Sequence, residues 1–175
     1  MSDVILLCLL VAAALVVSIV VWTIKNGISP MPTSPKVKRR LLEILPVVQG
    51  RIYELGSGWG TLAFSLSRHY PEAQIIGFET SPVPYWISKL CLNLSSSRNL
   101  TFERRDFFNV ELKDATMVVC YLYPGAMRKL GEKLIQELKP GALIISHTFA
   151  LPGWEPKATY EVDDLYRTKI YIYVR

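Results

Sequence analysis

Three glycines at alternate positions, Gly56, Gly58 and Gly60 in the stretch YELGSGWGTL, follow directly on a short apolar run. Glycine lets the main chain take positive φ and approach a ligand with no side chain in between. Glu54 stands two residues ahead of the first glycine and Ser57 sits inside the turn. A helix starting just beyond would add free backbone N–H groups. This is the design of a cofactor site, and two more acids fall in step with it. Glu79 ends the next apolar segment, where a carboxylate can accept a pair of ribose hydroxyls. Asp106 ends the segment after that and is followed by the apolar Phe107. Each acid alone reads as a solvated loop carboxylate. Three of them in register at successive strand ends read as a binding site.

The elements that must position these residues alternate along the chain. RIYEL reads as a strand, Thr61 to His69 as a helix, AQIIGFE as a strand and Val83 to Leu94 as a helix. LTFERRD follows as a third strand and ATMVVCYLY as a fourth, whose continuous apolar run suits burial on both faces. Ala126 to Leu138 reads as a helix closed by Lys139-Pro140-Gly141, and ALIISHTF as a fifth strand. KATYEVDD and RTKIYIYVR read as two strands turning back through Leu165-Tyr166. Strands separated by helices predict an α/β fold with a doubly wound, mostly parallel sheet, to which the terminal hairpin adds an antiparallel edge. In such a sheet the ligand lies beyond the carboxyl ends of the strands, where strand order reverses.

A chain of 175 residues makes one domain of ordinary size. Half of it is hydrophobic and the mean hydropathy is +0.24, an excess concentrated at one end. Val4 to Ile24 runs for about 21 residues without a charge, long enough to cross a bilayer as a helix. Asp3 in front of it and Trp22-Thr23-Ile24 behind do not fit a secretory signal with its basic start and small-residue cleavage site. The expected division is a transmembrane anchor at 1–25, a linker and leading helix at 26–46, and the α/β domain at 47–175. Three prolines keep the linker irregular until Ser34-Pro35 opens the leading helix, Pro35 to Leu45. Lys25, Lys36, Lys38, Arg39 and Arg40 all follow the span. This predicts a single-pass membrane protein with its domain on the cytoplasmic, positive-inside face and the lipid bilayer as a partner. No basic stripe interleaved with aromatics occurs elsewhere, so nucleic acid is not an expected partner. Cys8, Cys91 and Cys120 are scattered, with no histidine at ligand spacing, so no metal is expected.

Two cofactor classes use a glycine turn of this kind. The dinucleotide fingerprint G-x-G-x-x-G would need its third glycine at position 61, which is Thr61. The pattern E-x-G-x-G-x-G instead resembles motif I of the class I S-adenosylmethionine-dependent methyltransferases, a Rossmann-like fold. Nearly all of Pro30 to Arg175 is similar to one branch of them, the small membrane-anchored lysine methyltransferases that modify the ATP synthase c-subunit and the adenine nucleotide carrier, with their prokaryotic relatives. The resemblance is carried by PMPTSP, ELGSGWG, GFETSP, RRDFFNVELKD, LYPGAMRKLGEKLIQELKPGALIISHTFALPGWEP and the closing hairpin. The family usually carries Asp where Glu54 stands, and other polar residues at Trp59 and Thr61.

The resemblance implies S-adenosyl-L-methionine as cofactor, held by Thr33, Glu54, Gly56, Ser57, Gly58, Gly60, Glu79, Asp106 and Phe107. In these enzymes an acid at position 106 faces the adenine amino group, and the apolar neighbour packs on the ring. It also implies a reaction slot at Tyr123 and Pro124, in the loop after strand four. Tyr123 shapes that slot, or holds a cation by its ring face, or is strand-end packing. His147 lies near the site edge, and Trp154 borders the acceptor groove or covers the core. The expected activity is methylation of a lysine on a membrane protein. A lipid or quinone acceptor, and a non-catalytic cofactor-binding membrane module, are the alternatives.

Overall fold

A parallel strand buried on both faces needs helices above and below it, and this chain supplies them in alternation. The computed structural model describes residues 2–175; Met1, the first residue of the expected anchor, lies outside the described residues. The elements are α1 (Ser2–Asn26), α2 (Pro35–Ile44), β1 (Gly50–Leu55), α3 (Thr61–His69), β2 (Ala73–Phe78), α4 (Pro82–Asn93), β3 (Leu100–Glu103), a 3-10 turn (Phe107–Asn109), β4 (Ala115–Cys120), α5 (Pro124–Glu137), β5 (Leu143–His147), β6 (Ala158–Glu161) and β7 (Lys169–Val174).

The seven strands form one sheet in the order β3-β2-β1-β4-β5-β7-β6. The five strands from β3 to β5 are parallel, and β7 enters antiparallel between β5 and β6. The chain winds outward from β1 to β3, then returns to lay β4 on the other side of β1. The order therefore reverses between β1 and β4, and a crevice opens beyond their carboxyl ends.

Alternation along the strands divides the core into two layers. Ile52, Ile75, Met117 and Ile145 face α2 and α3, meeting Leu41 and Leu66. Tyr53, Phe78, Val118 and Ile144 face the other way, with Leu130, Leu134 and Tyr173. The Ser34 hydroxyl accepts the Val37 N–H at 3.3 Å and Pro35 fixes the first turn, so α2 starts where its cap dictates and buries Val37 and Leu41.

Most strands are shorter than their sequence patterns suggest, and two of these differences shape the site. β3 is the sheet edge and stops at Glu103, so Arg104 to Asp106 form a turn. β4 stops at Cys120, the last residue with a partner on β5, at Ser146. Tyr121 to Tyr123 are therefore a loop at the crevice. α1 is apolar along nearly its whole length, with a mean hydropathy of 3.3 over its best stretch, and by length and composition it can cross a membrane.

Leu41 has no exposed surface. Leu41→Ala should cost about 2–5 kcal/mol of stability through lost burial and the cavity left behind. Chemical denaturation of the variant is the measurement; a loss below about 1 kcal/mol would mean that α2 is not integral to the core.

Candidate functional site

The site is built at the carboxyl end of β1, beside the point where strand order reverses, with the end of β2 alongside. Gly56, Gly58 and Gly60 all adopt positive φ (76°, 52° and 74°). The N–H groups of Gly56 and Ser57 both point at the Phe78 carbonyl oxygen, at 3.0 and 2.8 Å, which ties the glycine turn to the end of β2. A Cβ at Gly58 would meet no protein atom within 4 Å, so this glycine borders open volume. Gly60 differs: it caps α3, and a Cβ there would strike the Phe102 ring. Gly60 is thus held by packing and does not line the cavity.

Glu79 is buried and accepts two backbone N–H bonds, from Gly58 at 2.8 Å and from Ser81 at 2.7 Å. Each oxygen keeps a free lone pair. Glu54 is equally buried, and burial pushes its carboxyl up to about 8, helped by the charge of Glu79 and opposed by the Ala63 N–H. One oxygen of Glu54 and the Ser57 hydroxyl are buried with no hydrogen-bond partner, and both residues line the same cavity of about 550 Å³. Asp106 and Phe107 line its far wall; Asp106 is exposed and accepts the Phe108 N–H at 2.9 Å, starting the 3-10 turn. Phe107 is buried, 4.5 Å from the Phe108 ring.

The roof of the cavity comes from the end of α1 and the linker. Trp22, Lys25 and Asn26 line it, as does the strap from Ile28 to Thr33. The strap is pinned along its length. Asn26 donates to the Ser81 hydroxyl at 3.0 Å and accepts from the Thr80 hydroxyl at 3.2 Å. The Trp59 indole N–H donates to the Pro30 carbonyl. Thr33 Oγ1 is hydrogen-bonded to His147 Nε2 at 3.2 Å. His147 is itself buried, stacked on Tyr121 at 4.4 Å, and burial lowers its pKa to about 4, so it is neutral at physiological pH.

Tyr123 lines the cavity and caps α5, its ring lying against Gly27, where a Cβ would sit 2.9 Å away. Pro124 is exposed, outside the cavity lining, and serves as the first residue of α5. Trp154 meets Tyr173 edge-on at 6.1 Å and packs by Gly131, so it covers the core. Asn26 and Ser81 belong to the site without having stood out in the sequence, and Trp59, marked there only as a departure from the family, pins the strap. Among the described residues no group of three or more His, Cys, Asp or Glu side chains is placed to hold a metal.

The strand order, the glycine turn and the acids that follow it define a Rossmann-like methyltransferase that uses S-adenosyl-L-methionine. A solved RNA methyltransferase from Salinibacter ruber, in complex with S-adenosyl-L-homocysteine, superposes with a TM-score of 0.73 at 29% identity, over 82% of this chain and 93% of that one. Residues 54–158 match the model of the ANTKMT methyltransferase domain, and the chain belongs to that family. A protein-lysine N-methyltransferase of Saccharolobus islandicus (strain REY15A) is 32% identical over 149 residues, 82% of this chain and 91% of its own length. The adenine nucleotide translocase lysine N-methyltransferase of Mus musculus is 30% identical over 71% of this chain, which spans only 55% of that relative.

The residues fit the cofactor. S-adenosylmethionine carries positive charge on its sulfonium and α-amino group, and the unpartnered oxygen of Glu54 is a buried acceptor with nothing else to bind. The free lone pairs of Glu79 suit a ribose diol.

Two outcomes are expected. Glu79→Ala removes a buried acceptor from the glycine turn, worth about 1.5–3 kcal/mol for a bond to a charged group, so affinity for S-adenosylhomocysteine should fall about tenfold to a hundredfold. Isothermal titration measures this, and an affinity within about twofold of wild type contradicts it. Glu54 tests the burial. Its folded pKa of about 8 lies above the ordinary 4.5, so the folded chain holds a proton that the unfolded chain releases. Stability from this group is full below 4.5 and declines as pH rises towards about 8. Glu54→Gln should flatten that decline in denaturation curves without cofactor; parallel pH profiles for the two proteins contradict it.

Proposed function

We propose that this chain is a membrane-anchored protein-lysine N-methyltransferase whose acceptor is a lysine of a membrane protein, at the bilayer surface. The observation that carries the reading is that the last turns of α1 line the cofactor cavity, through Trp22, Lys25 and Asn26. The end of a membrane-length apolar helix and the reaction centre therefore share one location. The names of the Saccharolobus islandicus and mouse relatives support lysine as the acceptor, and the translocase supports a membrane-protein target. The basic residues Lys25, Lys36, Lys38, Arg39 and Arg40 support α1 as a single-pass anchor with the domain on the cytoplasmic side.

In this reading Glu79 holds the ribose, Glu54 and Ser57 the amino-acid end, and Asp106 with Phe107 the adenine, while Gly56 and Gly58 give main-chain approach. Thr33 closes over from the strap. The bound cofactor supplies an electrophilic methyl group on a sulfonium. The chain's own residues align and dry the acceptor: Tyr123 forms one wall of the slot, and the neighbouring Leu122 excludes water. A desolvated slot lowers the pKa of the incoming lysine ammonium, so the proton is lost to solvent as the side chain enters and the neutral amine faces the methyl group. His147, neutral and fixed between Thr33 and Thr148, holds the strap and takes no proton.

Cells with and without the protein should differ at one or a few membrane-protein lysines by mass spectrometry. Tyr123→Ala should cut turnover more than tenfold while S-adenosylhomocysteine affinity stays within about threefold. Methyl label that runs with solvent-extracted lipid or quinone, or with RNA, in place of protein contradicts the lysine reading.

A further inference from the structure

Helix α4 buries Pro84 and Ser88 against the domain, with Tyr85 and Leu92 packed partly onto the core. Its opposite face is apolar and open: Trp86, Ile87, Leu90 and Leu94 are 61%, 42%, 59% and 82% exposed, and Cys91 lies exposed beside them. These residues recur at helical spacing and form one stripe. Lys89 is the one charged residue of α4. A stripe of this size on a soluble surface marks an interaction site.

What covers it follows from its neighbour. The start of α4 is seated against the last turns of α1, where Ser18, Ile19 and Trp22 share a cleft with Pro82, Val83 and Pro84. The charge-free stretch of α1 continues to Ile24. Ser18 lies six residues before that end, about 9 Å down the helix axis at 1.5 Å per residue. A bilayer that takes the whole apolar stretch therefore reaches the level of α4. Amphipathic helices lying in a membrane surface sit about 5–10 Å into the headgroup and acyl boundary, the same depth.

We propose that the outer face of α4 is a second membrane contact, lying in the surface of the bilayer that α1 crosses; this rests on α1 being an anchor. The two contacts together fix the tilt of the domain and hold the cavity mouth at headgroup level. Trp86 suits the interface, and Lys89 can reach up to headgroup phosphates.

The test uses the full chain in vesicles of phosphatidylcholine and phosphatidylglycerol. A nitroxide is placed on Cys91 in a Cys8→Ser background, Cys120 being buried. The control carries the label at the exposed turn before β2, through Glu72→Cys with Cys8→Ser and Cys91→Ser. Collisions with oxygen should be favoured over a water-soluble nickel chelate several-fold more at Cys91 than at the control. Trp86→Ser combined with Leu90→Ser should raise nickel access at Cys91 and leave S-adenosylhomocysteine affinity unchanged. A chain that floats with the vesicles while its Cys91 label is as open to nickel as the control overturns this proposal alone. So does a label shielded from both reagents, which would mean that protein covers the face. A chain that does not float overturns the anchor and this contact together.

Discussion

A buried carboxylate closes the cofactor end of this sheet. Glu79 takes the N–H of Gly58 from the turn after β1 and the N–H of Ser81 from its own loop. Two turns that would each carry an unpaired buried donor are thereby joined, and a polar group that would be costly to bury is satisfied. The Phe78 carbonyl adds the N–H groups of Gly56 and Ser57 to the same junction. The shape of the cavity depends on this knot, because the left-handed glycines have no side chains to hold them. What remains unsatisfied nearby, on Glu54 and Ser57, belongs to residues that line the cavity.

The roof has a different origin from the floor. Sheet and glycine turn make a floor common to many methyltransferases, whereas the roof is made by the end of an apolar helix and a strap with few backbone bonds of its own. Side chains pin it: Asn26 to Thr80 and Ser81, Trp59 to Pro30, Thr33 to His147. Segments held in this way open at lower cost than core strands. The position of α1 and the closure of the cavity are thus mechanically linked through Asn26 and Gly27.

Much of the floor was legible in the sequence; of the roof only Thr33 was, and that through the family resemblance. Glu79 could be placed because an apolar run ends just before it, and Thr61–His69 matches its expected helix residue for residue. The errors lie at strand ends, where pairing decides. Asp106 caps a turn because edge strand β3 has no outer neighbour, and Tyr121 leaves the sheet because the pairing of β4 with both β1 and β5 ends at Cys120. Prolines announced an irregular linker but carry no information on where it packs, so the contacts of Trp59 and Asn26 were invisible. Pro124 illustrates the same limit: its type suits a reaction slot and a helix start alike, and only the fold separates it from the cavity. Helix α4 is apolar on both sides, so its periodicity could not say which side meets the core.

The central claim is that one cofactor is held between the glycine turn and a roof made by the end of α1 and the strap. Hydrogen–deuterium exchange of the full chain in detergent micelles, with and without S-adenosylhomocysteine, tests it most directly. The ligand should slow exchange in three separated segments at once: Gly56 to Leu62, Phe78 to Ser81, and the strap from Gly27 to Thr33. Protection of the first two with an unchanged strap would contradict the shared site, and equal protection by a nicotinamide dinucleotide would contradict the cofactor.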